Sequence, residues 1–276
     1  MSERPAPPVR PAVRVTIGQI QVSRDPGANR VAVADVMDIA AGVSADLVVL
    51  PEYAAVYYPS GVRRDLAEPL DGPFVRLLRE HAARTGVAAI AGLVIPAEHD
   101  ESRAVNVVVA VDGAGNLAGV YRKVHLYDAF GHRESDWLEP GPPDAPPVVL
   151  PVAGLRFGVM TCYDLRFPES ARRLVDAGAN ALVVPAAWVA GPLKDAQWRA
   201  LAVARAIENT SVVVAVGMTG KGVVGRSLVV GPDGVVGLEL DDKPAVRTVD
   251  LDPVRLGEVR EANPSLANRR YRVVPA

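Results

Sequence analysis

The sequence predicts a single α/β domain in which helices cover mixed β-sheet. Short runs rich in β-branched residues alternate with helical stretches from one end of the chain to the other. No shift in composition marks a domain boundary, and the chain contains no internal repeat. Its 276 residues are enough to bury a large hydrophobic core.

The first half of the chain contains strand patterns separated by two helical patterns. Pro51 ends the second strand, because proline cannot donate to a sheet ladder. The segment 112–116 (DGAGN) predicts a hairpin-like turn between the fourth and fifth strands. The predicted strands are 13–20, 46–50, 87–95, 104–111 and 117–121, and the predicted helices are 27–42 and 72–85.

The second half opens with a proline-rich segment, residues 140–151, which predicts a surface loop. Beyond this loop, strand and helix patterns alternate again, and the turn 231–234 (GPDG) separates the last two strands. The predicted strands are 155–161, 181–184, 211–216, 227–230 and 235–240, and the predicted helices are 170–177 and 194–208.

The composition argues against several classes of protein. A formal net charge of −2 and scattered basic residues predict no surface for nucleic acid. Apolar runs such as 47–50 and 212–216 are too short to span a bilayer, so we expect no membrane partner. Residues 1–12 are rich in proline and arginine and predict a disordered leader, not a signal peptide. One cysteine and no export signal predict a cytoplasmic location.

The single cysteine, Cys162, lies where an apolar run gives way to a polar turn. Without a second cysteine, an intrachain disulfide and a cysteine-rich metal site are both excluded. Two interpretations of Cys162 remain at this point. It is either a reactive thiol at the end of a buried strand or an inert, buried small side chain.

Polar residues follow two other predicted strands in the same way. Glu52 comes directly after the strand 46–50, and Lys123 follows the strand 117–121. Active sites of α/β folds gather at the carboxyl ends of strands, so these residues could meet Cys162. Each has an ordinary alternative, a solvated loop glutamate or a surface lysine. Together they supply a base, a cation and a nucleophile, which are the parts that acyl transfer needs.

Three of these segments, with their order and spacing, resemble the nitrilase superfamily of carbon–nitrogen hydrolases. The segments are 50–53 (LPEY), 121–126 (YRKVHL) and 162–169 (CYDLRFPE), and 204–209 (ARAIEN) and 225–227 (GRS) are also similar to family signatures. The resemblance extends from about Val13 to Asn263, so we treat residues 13–276 as the hydrolase domain.

The resemblance implies a fold and a set of site residues. The fold would be a four-layer α-β-β-α sandwich, commonly paired into homodimers or larger homo-oligomers. Glu52 would be the general base and later acid, Cys162 the nucleophile, and Lys123 the oxyanion stabiliser. Glu134 matches the second glutamate of the family, which positions the substrate or the lysine. The backbone N–H of Tyr163 would be the second oxyanion donor.

The resemblance also implies a reaction. A small amide would be hydrolysed to an acid and ammonia through a thioester on the cysteine, with no metal and no organic cofactor. A nitrilase or an N-carbamoyl amidohydrolase would use the same triad and is the alternative within enzymes. An inactive binding or scaffold protein on the same fold is the alternative from another class.

The substrate is less well defined by sequence. The segment around the nucleophile is similar to the branch of omega-amidases and deaminated-glutathione amidases. Arg166, four residues after the cysteine, could bind a substrate carboxylate, or it could brace the loop through Asp164 or Glu169. Trp188 is expected to line the pocket and to narrow it or stack on the substrate. Gln197 departs from the histidine that many amidases of this branch have before the following tryptophan.

Overall fold

The computed structural model describes residues 12–62 and 64–275, and within these residues twelve strands form two six-stranded sheets. The predicted leader, residues 1–12, lies outside the described residues except for Ala12. In chain order the strands are β1 (Val13–Gln19), β2 (Leu47–Val49), β3 (Ala88–Pro96), β4 (Ala104–Val111), β5 (Leu117–Arg122), β6 (Val149–Val152), β7 (Leu155–Val159), β8 (Ala181–Ala186), β9 (Val212–Gly217), β10 (Leu228–Val230), β11 (Val236–Glu239) and β12 (Ala245–Leu251).

The two sheets have the same arrangement of parallel and antiparallel strands. The first runs β12-β1-β2-β3-β4-β5 and the second runs β11-β10-β9-β8-β7-β6. Each has three parallel strands, β1 to β3 and β7 to β9, flanked by antiparallel strands. Three of these parallel strands, β2, β8 and β9, are buried along their whole length, which explains their continuous valine-rich sequences.

Helices cover the outer face of each sheet, so the molecule has four layers in a single domain. The covering helices are α1 (Pro26–Gly42), α2 (Pro73–Thr85), α3 (Pro168–Asp176) and α4 (Lys194–Asn209), whereas α5 (Pro253–Ala262) packs Leu256 among the residues between the sheets. One apolar cluster joins α1 and α2 to the first sheet, a second fills the space between the sheets, and a third joins α3 and α4 to the second sheet. This arrangement confirms the predicted α-β-β-α sandwich.

Local chemistry explains where the helices begin and end. Asp25 caps α1 by accepting hydrogen bonds from the N–H groups of Gly27 and Ala28, and Pro26 begins the helix. Gly86 ends α2 with a φ of +78°, a left-handed conformation that glycine adopts without strain. None of the helices in the described part of the chain is both long enough and apolar enough to cross a membrane.

The structure corrects the predicted loop over residues 140–151. Its last residues form β6, which pairs antiparallel with β7 at the edge of the second sheet. Pro151 lies inside this strand, and an edge strand tolerates proline because its free side needs no N–H donor. The strand β12 and the helix α5 are further elements that the sequence patterns did not predict.

Gly92 of β3 fixes the segment that carries Glu52. Its N–H donates to the carbonyl of Pro51 at 3.1 Å, and its carbonyl accepts the N–H of Ala54 at 2.7 Å. A Cβ at Gly92 would stand 2.6 Å from the Cα of Glu52 and 2.8 Å from the backbone nitrogen of Tyr53. Only glycine allows the two backbones to approach this closely.

We predict that Gly92→Ala destabilises the protein by about 1–3 kcal/mol, because the new methyl group collides with backbone that cannot turn away. Urea unfolding measures the change, and turnover should fall with it because Glu52 is displaced. Gly237→Ala is the matched control in another strand, since its Cβ would meet only the carbonyl oxygen of Val229 at 3.9 Å. Equal stabilities of the two variants would contradict the prediction.

Candidate active site

The sequence-predicted residues Glu52, Lys123, Glu134 and Cys162 all line one cavity of about 230 Å³. Three of them follow strands β2, β5 and β7, so the topology brings these strand ends together across the two sheets. A larger cavity of about 450 Å³ lies between α3, the proline-rich loop and residues 273–275, and none of the four residues lines it. The smaller cavity is therefore the candidate active site, because the chemistry converges there.

The carboxylate of Glu52 is buried and has a hydrogen-bond donor on each side. Its Oε1 accepts from Nδ2 of Asn106 at 2.7 Å and from Nζ of Lys123 at 3.0 Å. Its Oε2 accepts from the backbone N–H of Ala187 at 2.7 Å. Asn106 belongs to β4 of the first sheet, whereas Ala187 follows β8 of the second. Glu52 therefore joins the two sheets by hydrogen bonds at the candidate active site.

Glu134 holds the other side of the lysine. Nζ of Lys123 lies 2.8 Å from Oε2 and 3.1 Å from Oε1 of Glu134. The Tyr53 hydroxyl donates to Oε1 at 2.6 Å, and the backbone N–H of Tyr127 donates to Oε2 at 2.7 Å. Burial opposes a charge on Lys123, but Glu134 and Glu52 outweigh it and raise the pKa of the ammonium well above its ordinary value. Lys123 therefore stays a cation.

Cys162 begins a 3₁₀ turn, Cys162–Arg166, three residues after the end of β7. Its φ is +46°, a left-handed conformation that costs a residue other than glycine about 1–3 kcal/mol. Hydrogen bonds from Thr161 hold this geometry. The N–H of Thr161 donates to Oδ2 of Asp164 at 2.9 Å, and its hydroxyl donates to the carbonyl of Pro185 at 2.7 Å.

Asp164 connects the turn that begins at Cys162 to the segment that carries Lys123. Its Oδ2 also accepts from the Tyr121 hydroxyl at 2.7 Å, and Nδ1 of His125 lies 2.7 Å from its Oδ1. The ring of His125 stacks on Phe167 with centroids 3.7 Å apart. His125 is therefore a structural residue, and the family-like segments 121–126 and 162–169 contact each other through one carboxylate.

The electrostatics of the cavity keep the Cys162 thiol protonated. Burial raises its pKa well above the ordinary value, the charges of Glu52 and Glu134 raise it further, and Lys123 only partly offsets them. The cluster holds two carboxylates against one ammonium, so a thiolate would face an excess of negative charge. Any reaction at this sulfur would therefore need a base to take the proton.

Two of the predicted oxyanion and substrate residues, Tyr163 and Trp188, line a cavity with Cys162, whereas Arg166 lines neither of the two cavities that contain Cys162. The backbone N–H of Tyr163 is near the start of the 3₁₀ turn and has no acceptor among the described residues. Trp188 is buried and lines a small cavity with Cys162 and Tyr163. Nη2 of Arg166 donates to Oε1 of Gln197 at 2.7 Å. The expected brace from Arg166 to Asp164 or Glu169 is therefore not formed within residues 12–62 and 64–275.

The structure adds residues that sequence reasoning missed. Asn106 holds Glu52, Tyr53 holds Glu134, and Gln197 holds Arg166. Lys194 is a buried cation beside the small cavity. Asn106 left a signal in the sequence, because it is the one polar residue in the apolar run of β4. A buried amide in a central strand needs a partner.

Among the described residues, no group of three or more histidine, cysteine, aspartate or glutamate side chains is arranged to hold a metal ion. The site as described consists of two carboxylates, an ammonium and a thiol. These groups are the parts of a proton-transfer and nucleophilic centre.

Comparison with known proteins identifies the family. The sequence profile of the family described as carbon-nitrogen hydrolase matches residues 14–261. The chain belongs to the carbon–nitrogen hydrolase family. It is an enzyme of that family, as its sequence motifs predicted.

A similar sequence and a similar crystal structure support the assignment of this chain to the carbon–nitrogen hydrolase family. It is 38% identical over 259 residues to a deaminated glutathione amidase of Escherichia coli O157:H7, covering 93% of this chain and 97% of that one. It resembles the crystal structure of XC1258 from Xanthomonas campestris, a CN-hydrolase superfamily protein with an arsenic adduct in its active site. The TM-score is 0.84 at 28% identity, over 95% of this chain and 99% of that one.

A third relative is a Nesterenkonia AN1 amidase of the nitrilase superfamily. It matches with a TM-score of 0.77 at 26% identity and covers 95% of this chain and 98% of that one. All three comparisons agree with the fold and with a hydrolase of carbon–nitrogen bonds. An inactive scaffold on this fold is thereby disfavoured.

We predict that Glu52→Gln speeds the alkylation of Cys162 by iodoacetamide near neutral pH. The substitution removes a negative charge that raises the pKa of the thiol, while Lys123 remains, so the thiolate fraction increases. Mass spectrometry follows the reaction, and every adduct reports the active site because the chain has one cysteine.

The control for this experiment is Glu258→Gln, which neutralises an exposed glutamate of α5 and should leave the rate unchanged. Slower alkylation of the Glu52 variant would mean that the carboxylate assists the reaction as a proton acceptor more than its charge hinders it. That result would overturn the electrostatic explanation.

Proposed function

We propose that this carbon–nitrogen hydrolase cleaves a small, carboxylate-bearing amide to an acid and ammonia through a thioester on Cys162. The observation that carries the proposal is the convergence of Glu52, Lys123 and Cys162 in one buried cavity. The name of the E. coli relative, deaminated glutathione amidase, supports an amide as substrate.

The first half of the reaction forms the thioester. Glu52 accepts the thiol proton as Sγ of Cys162 attacks the amide carbonyl carbon, and the carbonyl oxygen becomes an oxyanion. Lys123 and the backbone N–H of Tyr163 stabilise that oxyanion. Glu52 then returns the proton to the leaving nitrogen, the C–N bond breaks, and ammonia departs. The protonated state of the resting thiol makes this transfer necessary.

The second half of the reaction removes the acyl group. Water enters where the ammonia left, Glu52 takes one of its protons, and the resulting hydroxide attacks the thioester carbonyl. Collapse of the second tetrahedral intermediate breaks the C–S bond, and the proton held by Glu52 returns to the sulfur. The three donors around Glu52 keep its carboxylate in one orientation through both halves.

The surroundings of Arg166 support a carboxylate on the substrate. Its Nε is buried and has no hydrogen-bond partner among the described residues. Its guanidinium carbon lies 4.9 Å from the ring centroid of Trp188, which borders the cavity at Cys162. A carboxylate from the substrate would satisfy the free donor, and Trp188 would pack against the acyl chain.

We predict that Cys162→Ala lowers turnover by more than about a thousandfold, because no nucleophile remains to form the thioester. Ammonia release measures turnover, and a thermal unfolding scan checks that the variant is folded. Substantial hydrolysis by the purified variant would refute the role of Cys162 as nucleophile.

We predict that Glu134→Gln lowers kcat by about 10- to 100-fold, because Lys123 loses an ion pair and a neutral amide cannot accept all the hydrogen bonds that Glu134 accepts. Steady-state kinetics measures the change. Wild-type kcat in the folded variant would reduce Glu134 to a structural role.

A substrate panel tests the reaction class itself. Omega-amides, nitriles and N-carbamoyl compounds of matched chain length are compared by their kcat/KM for ammonia release. We expect the carboxylate-bearing omega-amides to be the best substrates. A preference for nitriles or N-carbamoyl compounds would replace the proposed reaction while retaining the same triad.

A further inference from the structure

Lys194 is a buried cation that forms no ion pair with any carboxylate of the described residues. It is the first residue of α4, and only 6% of its surface is exposed. Its Nζ donates one hydrogen bond, to the Tyr127 hydroxyl at 2.7 Å. An ammonium carries three donors, so two of them remain available. A buried charge without a counter-ion is costly unless a ligand supplies one.

Arg166 is a second cation near Lys194, although it lines neither of the two cavities that contain Cys162. Nζ of Lys194 lies 3.6 Å from the ring centroid of Phe130, and the guanidinium carbon of Arg166 lies 5.4 Å from the same centroid. Burial lowers the pKa of Lys194, and the positive charge of Arg166 lowers it further. The two cations therefore repel each other, and an anion between them would reduce this repulsion.

The position of Lys194 relative to Cys162 limits what that anion can be. Both residues line a cavity of about 10 Å³, which is room for one water-sized group. This cavity shares Tyr127, Cys162 and Val189 with the 230 Å³ cavity. The acyl chain therefore fits only in the larger cavity, while a single terminal oxygen fits beside the ammonium.

We propose that Lys194 is a specificity-determining residue that binds, together with Arg166, the terminal carboxylate of the acyl group held on Cys162. This inference rests on the proposed amide hydrolysis at Cys162, and it adds a second cation to the site. It also orients the substrate: the amide lies at the sulfur, the acyl chain in the larger cavity and the carboxylate at the start of α4.

Binding of glutarate, a product-like dicarboxylate, tests the inference without turnover. Calorimetry is carried out on Cys162→Ala protein with and without Lys194→Met. We expect the methionine variant to bind glutarate at least about thirtyfold more weakly, because it truncates one partner of a buried charge pair. Lys194→Arg should restore much of the affinity. Equal affinity with and without Lys194 overturns the inference, as does a protein with Lys194 that binds no glutarate.

Kinetics on the catalytically intact protein provide the second test. Glutaramate and pentanamide have the same chain length and differ by a carboxylate in place of a methyl group. We expect Lys194→Met to reduce the ratio of their kcat/KM values at least about thirtyfold, mainly through the KM of glutaramate. A preserved ratio in a folded variant overturns the role of Lys194. Failure of wild-type protein on every amide would instead reject the proposed function, and the glutarate measurement still decides the carboxylate site.

Two controls separate charge from structure. Tyr127→Phe removes the hydroxyl that Lys194 contacts but keeps the ammonium, so the selectivity ratio should persist. If this variant lost the ratio as fully as Lys194→Met does, the lysine would act only by holding Tyr127, and the inference would fail. Lys243→Met removes an exposed lysine far along the chain and should change neither glutarate affinity nor the ratio.

Discussion

The hydrogen bonds to the carboxylate of Glu52 are the interaction on which the rest of the site depends. Asn106 and Lys123 bind it from the first sheet, and the N–H of Ala187 binds it from the second. Gly92 of β3 has no side chain and therefore lets the backbone of Glu52 lie against this strand. The hydrogen bonds that join the two sheets at this point are therefore the same ones that orient the Glu52 carboxylate.

Charge is distributed unevenly around the sulfur of Cys162. On one side, Glu52 and Glu134 outnumber Lys123, and burial together with this excess raises the pKa of the thiol. On the other side, Lys194 and Arg166 have no carboxylate partner among the described residues. An anionic substrate would be repelled by the first side and attracted by the second. The arrangement thus favours binding of such an amide with its anionic group toward Lys194 and Arg166.

Much of the fold and the main residues of the candidate active site were predictable from sequence, because strand ends and short motifs are local signals. Glu52, Lys123 and Cys162 each follow a predicted strand, and the topology brings them to one cavity. Asn106 and Lys194 were missed because their partners lie far away in sequence. The edge strand β6 was missed because the prolines around it indicated a loop. The partner of Arg166 depended on how α4 approaches the 3₁₀ turn, which no local pattern shows.

The hydrogen bonds of Asp164 also affect how Lys123 and Cys162 move relative to each other. This one carboxylate holds Thr161, which precedes Cys162, and also Tyr121 and His125, which lie two residues before and after Lys123. Lys123 and Cys162 are thereby tied together by side chains adjacent to them, in addition to the packing of the sandwich. If the two sheets slide slightly against each other in thermal motion, ammonium and sulfur travel together, and their separation stays nearly constant.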